Sequence, residues 1–217
     1  MRQLRNFSLS PFCRKIRLVL GEKKLPFESV PLRPWENRVT LSALSELLEA
    51  DGTSLTDSRA IAEFLNEQDS SMDLLPGHPV DRAVVRRWVN HFDECFWRDV
   101  TWIILHERII KRFSDEADRQ PDLAAIKLAQ HNLRNELQSV DRALEKHGYV
   151  TVAFSLADLT VAAHLSCLDY FGDVPWQFFP NVKEWYARMK SRPSFRPLLN
   201  DQLPGFPPSP HYADLDF

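Results

Sequence analysis

The longest stretch of the chain without glycine or proline runs from Val80 to Gln120, and it constrains the fold more than any other feature. Four apolar residues within it repeat every four positions: Val84, Trp88, Phe92 and Phe96. This spacing places them along one face of a helix. The sequence therefore predicts one long helix here, and its apolar face must be buried against further helices.

Further helices are predicted after this segment. Pro121 opens one that ends before Gly148 and has a seam of apolar residues typical of a bundle: Ile126, Leu133, Leu137, Val140 and Leu144. A capping box at Ser155–Asp158 predicts an apolar helix that runs to about Tyr170. A last helix is expected over about residues 181–191, where nearby prolines limit its length.

The first part of the chain has a different pattern. Residues 2–7 favour a short strand. Ser10 is a candidate N-cap, and Pro11 takes the first position of a helix with one apolar face: Phe12, Ile16, Val19 and Leu20. Residues 26–32 suggest a second strand, which Pro31 restricts to an edge or to an irregular conformation.

A loop and a hairpin are predicted next. Residues 33–38 are expected to form a loop that exposes Trp35. Asp51-Gly52 supplies the positive backbone angles of a tight turn, so residues 45–56 are expected to pair as a hairpin. The polar residues that follow cap a helix over roughly residues 58–67. Strands and helices thus alternate in a small mixed domain.

Residues 69–79 are the best linker in the chain, because they combine Asp, Ser, Pro and Gly. The linker predicts a small α/β or α+β domain over residues 1–76 and an all-helical domain over residues 77–200. Residues 201–217 form a tail with four prolines within seven positions, which excludes a regular helix or strand. Apolar and acidic side chains alternate at its end: Tyr212, Asp214, Leu215, Asp216 and Phe217.

Charge and cysteine content exclude several classes of function. The net charge of −3 argues against a general nucleic-acid binder. No apolar run approaches the ~20 residues that cross a bilayer, and the amino terminus lacks the apolar core of a signal peptide. Cysteines and histidines are scattered without metal-ligand or disulfide spacing: Cys13, Cys95, Cys167, His91, His106, His131 and His164. A cytoplasmic protein without membrane insertion, metal or cofactor is therefore expected.

Several motifs follow one another in a fixed order along the chain. Ser10-Pro11-Phe12-Cys13 is similar to the thioredoxin and glutaredoxin motif, with serine in place of the first cysteine. Asp57-Ser58-Arg59-Ala60-Ile61, the Pro/Gly linker and the Ser155–Asp158 capping box come after it. Together they resemble the cytosolic glutathione transferases over essentially the whole chain up to residue 200. The resemblance implies a thioredoxin-like domain, a helical-bundle domain and commonly a homodimer.

The resemblance also implies a glutathione site. Ser10 would lie where the glutathione thiol is activated, because a hydroxyl at a helix amino terminus can donate a hydrogen bond to a thiolate. Asp57 and Ser58 would hold the γ-glutamyl end. The alternative is that Ser10 and the Asp57/Ser58 pair are only helix caps, since these residue types are common N-caps.

Glu46 departs from the family pattern. Glutathione transferases normally have a Val-Pro pair with a cis proline before the third strand, and alignment from the Asp-Gly turn puts Glu46 in its place. A cis bond at a residue other than proline costs ~3 kcal/mol, so a trans bond is expected. A carboxylate here would repel an anionic ligand. The site formed by Ser10, Glu46, Asp57 and Ser58 is therefore expected to be vestigial.

Three segments narrow the resemblance further. Ser10 to Lys15, Arg33-Pro34-Trp35-Glu36 and the ending Pro-His-Tyr-Ala-Asp-Leu-Asp-Phe are similar to the FtsZ-localised, transferase-like division proteins of alphaproteobacteria. That group is regarded as non-enzymatic adaptors that bind FtsZ filaments and regulate their curvature and constriction. The resemblance implies a homodimer at the division site. The residues expected to contact the filament are Trp35, Arg38, His211, Tyr212, Asp214, Asp216 and Phe217.

Structural alternatives stay open for these residues. Cys13 is either a redox thiol or a small buried hydrophobe. Trp35 is either a partner-binding hot spot or a lid over the front domain or dimer interface. The tail either contacts FtsZ or packs as an arm against its own helical domain. Residues 1–40 carry nine Lys and Arg against three Glu, so the first helix either steers an acidic partner or is simply solvated.

Two rival functions share this scaffold. The first is an enzyme, either a glutathione transferase or a glutathione-dependent thiol reductase that uses Ser10 or Cys13. The second is a stress or starvation regulator that binds polymerase or another partner, against which only the tail and the loop at Trp35 argue.

Overall fold

A computed structural model describes residues 1–37, 45–69, 71–113 and 119–217. Its sheet contains β1 (Gln3–Asn6), β2 (Glu28–Pro31), β3 (Glu46–Leu48) and β4 (Ser54–Thr56). The strand order is β2-β1-β3-β4, with β2 parallel and β3 antiparallel to β1. Pro31 therefore lies on an edge strand, as predicted. Gly52 has φ +92° in the turn between β3 and β4, which confirms the Asp-Gly hairpin.

Three helices complete the front domain: α1 (Pro11–Glu22), α2 (Pro34–Asn37) and α3 (Ser58–Gln68). Ser10 caps α1, as predicted. The prediction of a loop over residues 33–38 is wrong at α2, which forms one helical turn. Trp35 in this turn is half-buried rather than exposed, because its ring stacks on Phe113 with centroids 4.3 Å apart. Arg38 lies outside the described residues.

The long predicted helix is a continuous run of helical segments, two of them π-helical: α4 (Pro79–His91), Phe92–Thr101 (π), α5 (Trp102–Leu105), His106–Ile110 (π) and α6 (Lys111–Phe113). Four residues at four-residue spacing are buried along it: Phe92, Phe96, Val100 and Ile104. A π-helix has more residues per turn than an α-helix, so this repeat stays on one face instead of winding away. The predicted extension to Gln120 is wrong, because residues 119 and 120 are not helical.

The remaining helices are α7 (Leu123–His147), α8 (Leu156–Tyr170), α9 (Pro180–Lys190) and α10 (Arg196–Leu199), with a 3₁₀ turn at Trp176–Phe178. The predicted seam of α7 is buried, and Asp122 rather than Pro121 begins this helix by accepting hydrogen bonds from two backbone N–H groups. The capping box at the start of α8 is present, and the whole of α8 is buried. Sequence analysis missed α10, which is only four residues long.

Helix α1 joins the two domains by packing on α3 and α8. Gly21 allows a close approach at its end, because a Cβ there would lie 2.8 Å from Ser194 Cβ and 2.9 Å from Ser194 Cα. Beside this contact, Glu22 accepts hydrogen bonds from Arg192 at 2.6 and 2.7 Å. The end of α1 is therefore fixed against the helical domain.

The described residues contain neither a membrane-spanning helix nor a metal-binding group of side chains. None of their helices combines the length and hydropathy needed to cross a bilayer. Nor do three or more of their His, Cys, Asp or Glu side chains converge in a group that could hold a metal ion.

Candidate functional site at the domain interface

Ser10 and Cys13 lie at the start of α1, where β1 delivers the chain to the domain interface. Ser10 Oγ accepts a hydrogen bond from the Cys13 backbone N–H at 3.4 Å, and both residues are fully buried. Burial raises the pKa of the Cys13 thiol, and its hydrogen bond with Ser10 offsets this only in part. In this conformation neither side chain reaches solvent, and the thiol stays protonated.

Side chains from both domains and the tail cover the start of α1. Cys13 belongs to one buried apolar cluster with Phe7, Leu9, Leu105, Ile109, Cys167, Tyr170, Leu203 and Tyr212. Next to it, the Phe12 ring meets Trp97 edge-on at 4.9 Å, and Trp97 lies 5.6 Å from Trp102. The interpretation of Cys13 as a small buried hydrophobe therefore describes its environment. Cys167 is equally buried, and Cys95 is half-buried.

Asp57 at the start of α3 is the exposed part of the predicted glutathione site. It caps the helix by accepting a hydrogen bond from Arg59 N at 2.8 Å, while Ser58 beside it is buried. The backbone of Asp57 has φ +70° and ψ 114°, a conformation that residues other than glycine rarely adopt. Strain of this kind is concentrated at functional sites. The structure thus shows Asp57 as a helix cap, and its role in holding glutathione stays a prediction.

Glu46 is the first residue of β3, so the residue that precedes this strand is Ser45. The peptide bond between them is trans, as expected. The Glu46 carboxylate accepts hydrogen bonds from Arg5 at 3.1 Å and from Ser54 Oγ at 2.8 Å. This register follows because Leu47 pairs with Leu4 and faces the core. The carboxylate is thus held by neighbouring strands.

A buried ionic cluster lies behind the start of α1, and no sequence signal indicated it. The Lys15 ammonium pairs with the Asp93 carboxylate, and His164 Nε2 lies 3.5 Å from the other oxygen of Asp93. Thr101 Oγ1 lies 3.0 Å from His164 Nδ1. Burial would raise the pKa of Asp93, but Lys15 and His164 hold it below its usual value. Burial lowers the pKa of His164, so its neutral form is favoured.

The basic residues of α1 point into the protein. Arg14 and Lys15 are almost inaccessible to solvent. Arg14 donates to Ser166 Oγ at 2.8 Å and to Asp201 at 3.2 Å. Arg17 donates to both oxygens of Asp201 at 2.7 and 3.0 Å. The hypothesis of a basic steering face on this helix is therefore wrong for these residues, because their charges bind α8, the long helix and the tail.

The tail is folded against the helical domain. Its backbone is held by Tyr170, whose hydroxyl donates to Phe206 O at 2.6 Å and accepts from Leu203 N at 2.9 Å. Further along, Ser209 N donates to Tyr170 O at 2.7 Å. His211 Nε2 lies 2.8 Å from the buried carboxylate of Asp169. The interpretation of the tail as a packed arm thus describes its conformation.

The tail residues predicted to contact FtsZ differ in exposure. Tyr212 is fully buried, donates its hydroxyl to Leu198 O at 3.0 Å, and has a pKa that burial raises to about 12. Phe217 is half-buried, with the Lys190 ammonium 4.0 Å from its ring centre. Asp214 and Asp216 are exposed. Tyr212 therefore anchors the tail in the core of the protein, whereas the two aspartates face the solvent.

A pocket of about 500 Å³ opens beside this tail, and Phe7, Arg33, Trp35, Phe113, Asp201 and Leu203 contribute to its lining. Three aromatic side chains form part of its wall, where the Phe7 ring meets Trp35 edge-on at 5.8 Å and Trp35 stacks on Phe113. Ser10, Asp57 and Ser58 are not among the described residues that line it. The pocket suits an apolar group, and it lies apart from the polar residues of the predicted glutathione site.

A thioredoxin-like domain joined through its first helix to an all-helical domain is the fold of the glutathione transferases. Family models agree with this assignment: the glutathione S-transferase N-terminal domain matches residues 9–68, and the C-terminal domain matches residues 101–193. The chain belongs to the glutathione S-transferase family, which confirms the resemblance predicted from its motifs.

Individual relatives match beyond these domains. FtsZ-localized protein A of Caulobacter vibrioides is 39% identical over 226 aligned residues, which cover 100% of this chain and 98% of that protein. The solved structure of FzlA from C. crescentus is 40% identical, with a TM-score of 0.91 and coverage of 100% and 99%. A glutathione S-transferase structure from Rhodospirillum rubrum is 41% identical, with a TM-score of 0.92 and full coverage of both chains. These matches include the tail, which lies beyond the family models.

Proposed function

We propose that this protein is a non-enzymatic adaptor of cell division that binds FtsZ filaments at the division site in the cytoplasm. The observation that carries the proposal is the full-length similarity to FtsZ-localized protein A, a relative whose name places it with FtsZ. The similarity extends through the tail, which the glutathione S-transferase domain models do not include. The adaptor regulates the curvature and constriction of the filaments.

The closed start of α1 supports a function without catalysis. Activation of a thiol requires that the hydroxyl lie within hydrogen-bond reach of the sulfur. Ser10 is fully buried under side chains of this chain, and Cys13 is buried beside it. A glutathione sulfur would have to displace this apolar cluster before it reached either residue.

Trp35 and the beginning of the tail meet on one surface, which supports a shared role in partner binding. Phe113 contacts both, since its ring stacks on Trp35 at 4.3 Å and lies 5.8 Å from Phe206. Half-buried tryptophans are favoured as interface hot spots. We assign Trp35, Arg38 and the exposed acidic residues of the tail to the FtsZ contact. Tyr212 acts from within, by holding the tail in place.

A homodimer completes the proposal. Two copies of one weak contact on a single polymer gain avidity, because the second binds at a high effective concentration. A dimer also holds two filament subunits at a fixed angle, which is how a rigid adaptor would change filament curvature.

Co-sedimentation with GTP-polymerised FtsZ tests the proposal. Deleting the tail would also remove Tyr212 from the core, so surface substitutions are the sharper tool. We expect the wild-type chain to pellet with polymer, and Asp214→Lys/Asp216→Lys to remain in the supernatant. The matched control, Glu67→Lys/Glu145→Lys, makes the same change of charge at exposed positions on α3 and α7. If wild-type protein that is folded and dimeric does not pellet, the adaptor function is wrong.

A glutathione transferase is the second candidate function. The strained and exposed Asp57 favours it, as does the likeness to a solved glutathione S-transferase from R. rubrum. Binding of glutathione to the native state must raise the melting temperature. A rise at millimolar glutathione that Asp57→Ala abolishes would support the enzyme, and no rise would exclude it.

A further inference from the structure

We infer that a groove between α7 and the 3₁₀ turn before α9 is a docking surface for an acidic peptide segment that carries an aromatic side chain. The groove encloses about 500 Å³, and its lining comprises Arg134, Gln138, Asp141, Arg142, Phe178 and Phe179. None of these residues belongs to the domain-interface site or to the tail. The inference therefore goes beyond FtsZ binding and does not depend on it.

Phe178 is the apolar centre of this surface. Its side chain is 63% exposed, more than any other aromatic residue in the described part of the chain. Phe179, next to it, is buried and anchors the turn. The Arg134 guanidinium lies 5.9 Å from the centre of the Phe178 ring. A rigidly held, exposed aromatic ring beside a cation is typical of an interface hot spot.

The two arginines of the groove give it a positive face. Within the described residues, no carboxylate lies within 4.0 Å of the guanidinium of Arg134 or Arg142. By contrast, Arg86 pairs with Glu63 and Arg98 pairs with Asp99 elsewhere on the helical domain. Two cations without carboxylate partners beside an apolar ring favour an acidic partner.

Asp141 offsets only part of this charge, because one carboxylate faces two guanidinium groups in the lining. Its two oxygens accept hydrogen bonds from Asn181 Nδ2 at 3.0 Å and from Val182 N at 3.1 Å. Both donors lie in the first turn of α9, where the helix dipole favours a negative group. Phe179, the N-cap residue of α9, makes no side-chain cap. Asp141 therefore serves as the cap for that helix, and both of its oxygens are engaged in these hydrogen bonds.

The spacing of Arg134 and Arg142 defines the peptide that would fit the groove. Arg134 and Arg142 are eight residues apart on one helix, a rise of about 12 Å. An extended peptide advances about 3.3 Å per residue, so carboxylates four residues apart span a similar distance. In such a peptide, residues i, i+2 and i+4 point to one side. The groove thus fits the pattern acid-x-aromatic-x-acid, with the aromatic ring against Phe178.

The tail already shows this recognition chemistry on the other side of the same turn. Phe217, which follows two aspartates, packs edge-on against Trp176 at 5.0 Å. Lys190 and Lys183 lie 4.0 and 5.5 Å from its ring centre. The turn at Trp176–Phe178 therefore holds an acidic and aromatic segment of its own chain at one end. Phe178, at the other end, is left for a segment from a partner protein.

Fluorescence anisotropy with a labelled peptide tests the inference on the full chain. The probe is Ser-Asp-Ser-Phe-Ser-Asp-Ser, and the control peptides replace both Asp by Asn or Phe by Ala. We expect saturable binding of the probe and about tenfold weaker binding of each control peptide. Arg134→Glu/Arg142→Glu and Phe178→Ser should weaken the probe by a similar factor. Arg196→Glu, an exposed arginine on α10, should leave it unchanged.

Two results would overturn the inference. One is equal affinity for the probe and its control peptides, or no saturable binding to the wild-type chain. The other is binding that Lys183→Glu weakens but Arg134→Glu/Arg142→Glu does not, since the peptide would then have displaced the tail. Neither result bears on FtsZ, because the co-sedimentation experiment uses a different set of variants.

Discussion

The start of α1 and the tail are both closed in this structure, but by different forces. Apolar side chains from both domains and the tail surround Cys13 in one cluster, and Ser10 beside it is buried as well. The tail contributes Leu203 and Tyr212 to this cluster, but it also makes ion pairs and hydrogen bonds nearer the surface, as at Arg17–Asp201 and Ser209. A dry cluster opens only when much of the core is lost, whereas polar contacts near the surface exchange with water or a partner in local openings. The tail is therefore the region better suited to reversible binding.

The largest expected effect is on the free energy of unfolding, and it comes from breaking the buried ion pair behind α1 rather than an ion pair of the tail. Lys15→Met leaves the Asp93 carboxylate buried without its partner, and such a change costs about 4 kcal/mol of unfolding free energy. Arg17→Met removes a contact to Asp201 in the tail but leaves Arg14 to pair with it. This loss should be about 1 kcal/mol. Urea unfolding of both variants measures the difference.

A double variant provides the control for this prediction. Lys15→Met/Asp93→Leu removes both buried charges and should recover more than half of the stability that Lys15→Met loses. Equal losses for Lys15→Met and Arg17→Met would show that the interface behind α1 is as accessible to water as the tail.

The next effect tests how firmly Tyr212 holds the tail. Tyr212→Ala removes a fully buried ring and should lower the unfolding free energy by about 3 kcal/mol. Tyr212→Phe keeps the ring and loses only the hydrogen bond to Leu198 O, at a cost of about 1 kcal/mol. Thermal unfolding of the pair checks this. A loss below 1 kcal/mol for the alanine variant would show that the tail is only loosely attached.

The buried cluster at α1 should make the stability of the protein depend on pH through His164. His164 has a pKa below its ordinary 6.5 in the folded state, so the unfolded chain takes up the proton at a higher pH. Its contribution to stability is therefore complete above pH 6.5 and is lost as the pH falls. A folded-state pKa one pH unit below the unfolded value corresponds to about 1.4 kcal/mol of stability.

The comparison of wild type with His164→Gln isolates this contribution. Asp158 acts in the opposite direction, because burial raises its pKa to about 6 and the folded state gains protons first. Asp158 is common to both proteins, so its effect cancels. The stability difference between wild type and variant should decrease from pH 7 to pH 5. A difference independent of pH would mean that His164 is accessible to water.

The smallest expected effect distinguishes a cap from a catalytic group. Ser10→Ala removes a cap whose hydrogen bond is long, at 3.4 Å, and should cost about 0.5 kcal/mol of stability. Pelleting with FtsZ should not change. If Ser10→Ala instead abolishes a stabilisation by glutathione, the start of α1 opens to ligands and the contrast with the tail disappears.

Local signals predicted most of the fold. The Asp51-Gly52 turn, the Ser155–Asp158 capping box and the Ser10-Pro11 helix start each act within a few residues, and all three appear in the structure. The elements that were missed are short or depend on distant contacts. Helix α2 is a single turn supported by the contact of Trp35 with Phe113, 78 positions along the chain.

The site was harder to predict, because burial is a property of the whole chain. Residue types identified Ser10 and Asp57, but the side chains that bury the neighbouring Cys13 come from distant positions such as Leu105, Tyr170 and Tyr212. Likewise, Asp93 follows Lys15 by 78 positions, and no spacing rule connects them. The basic composition of α1 indicated a solvent-exposed face, but its Lys and Arg side chains pair with carboxylates of the long helix and the tail.

The contact at Gly21 has a mechanical consequence for a protein that would set an angle between other molecules. At this contact α1 touches the backbone of Ser194 with no room for a methyl group, so the contact limits how α1 can move against the helical domain. Helix α7, with 25 residues, extends about 37 Å within the domain that would turn about this point. A small change of angle between the domains at this contact would therefore displace the far end of α7 by several times the shift at Gly21. The absence of a side chain at Gly21 therefore helps to set the angle between the surfaces of the two domains.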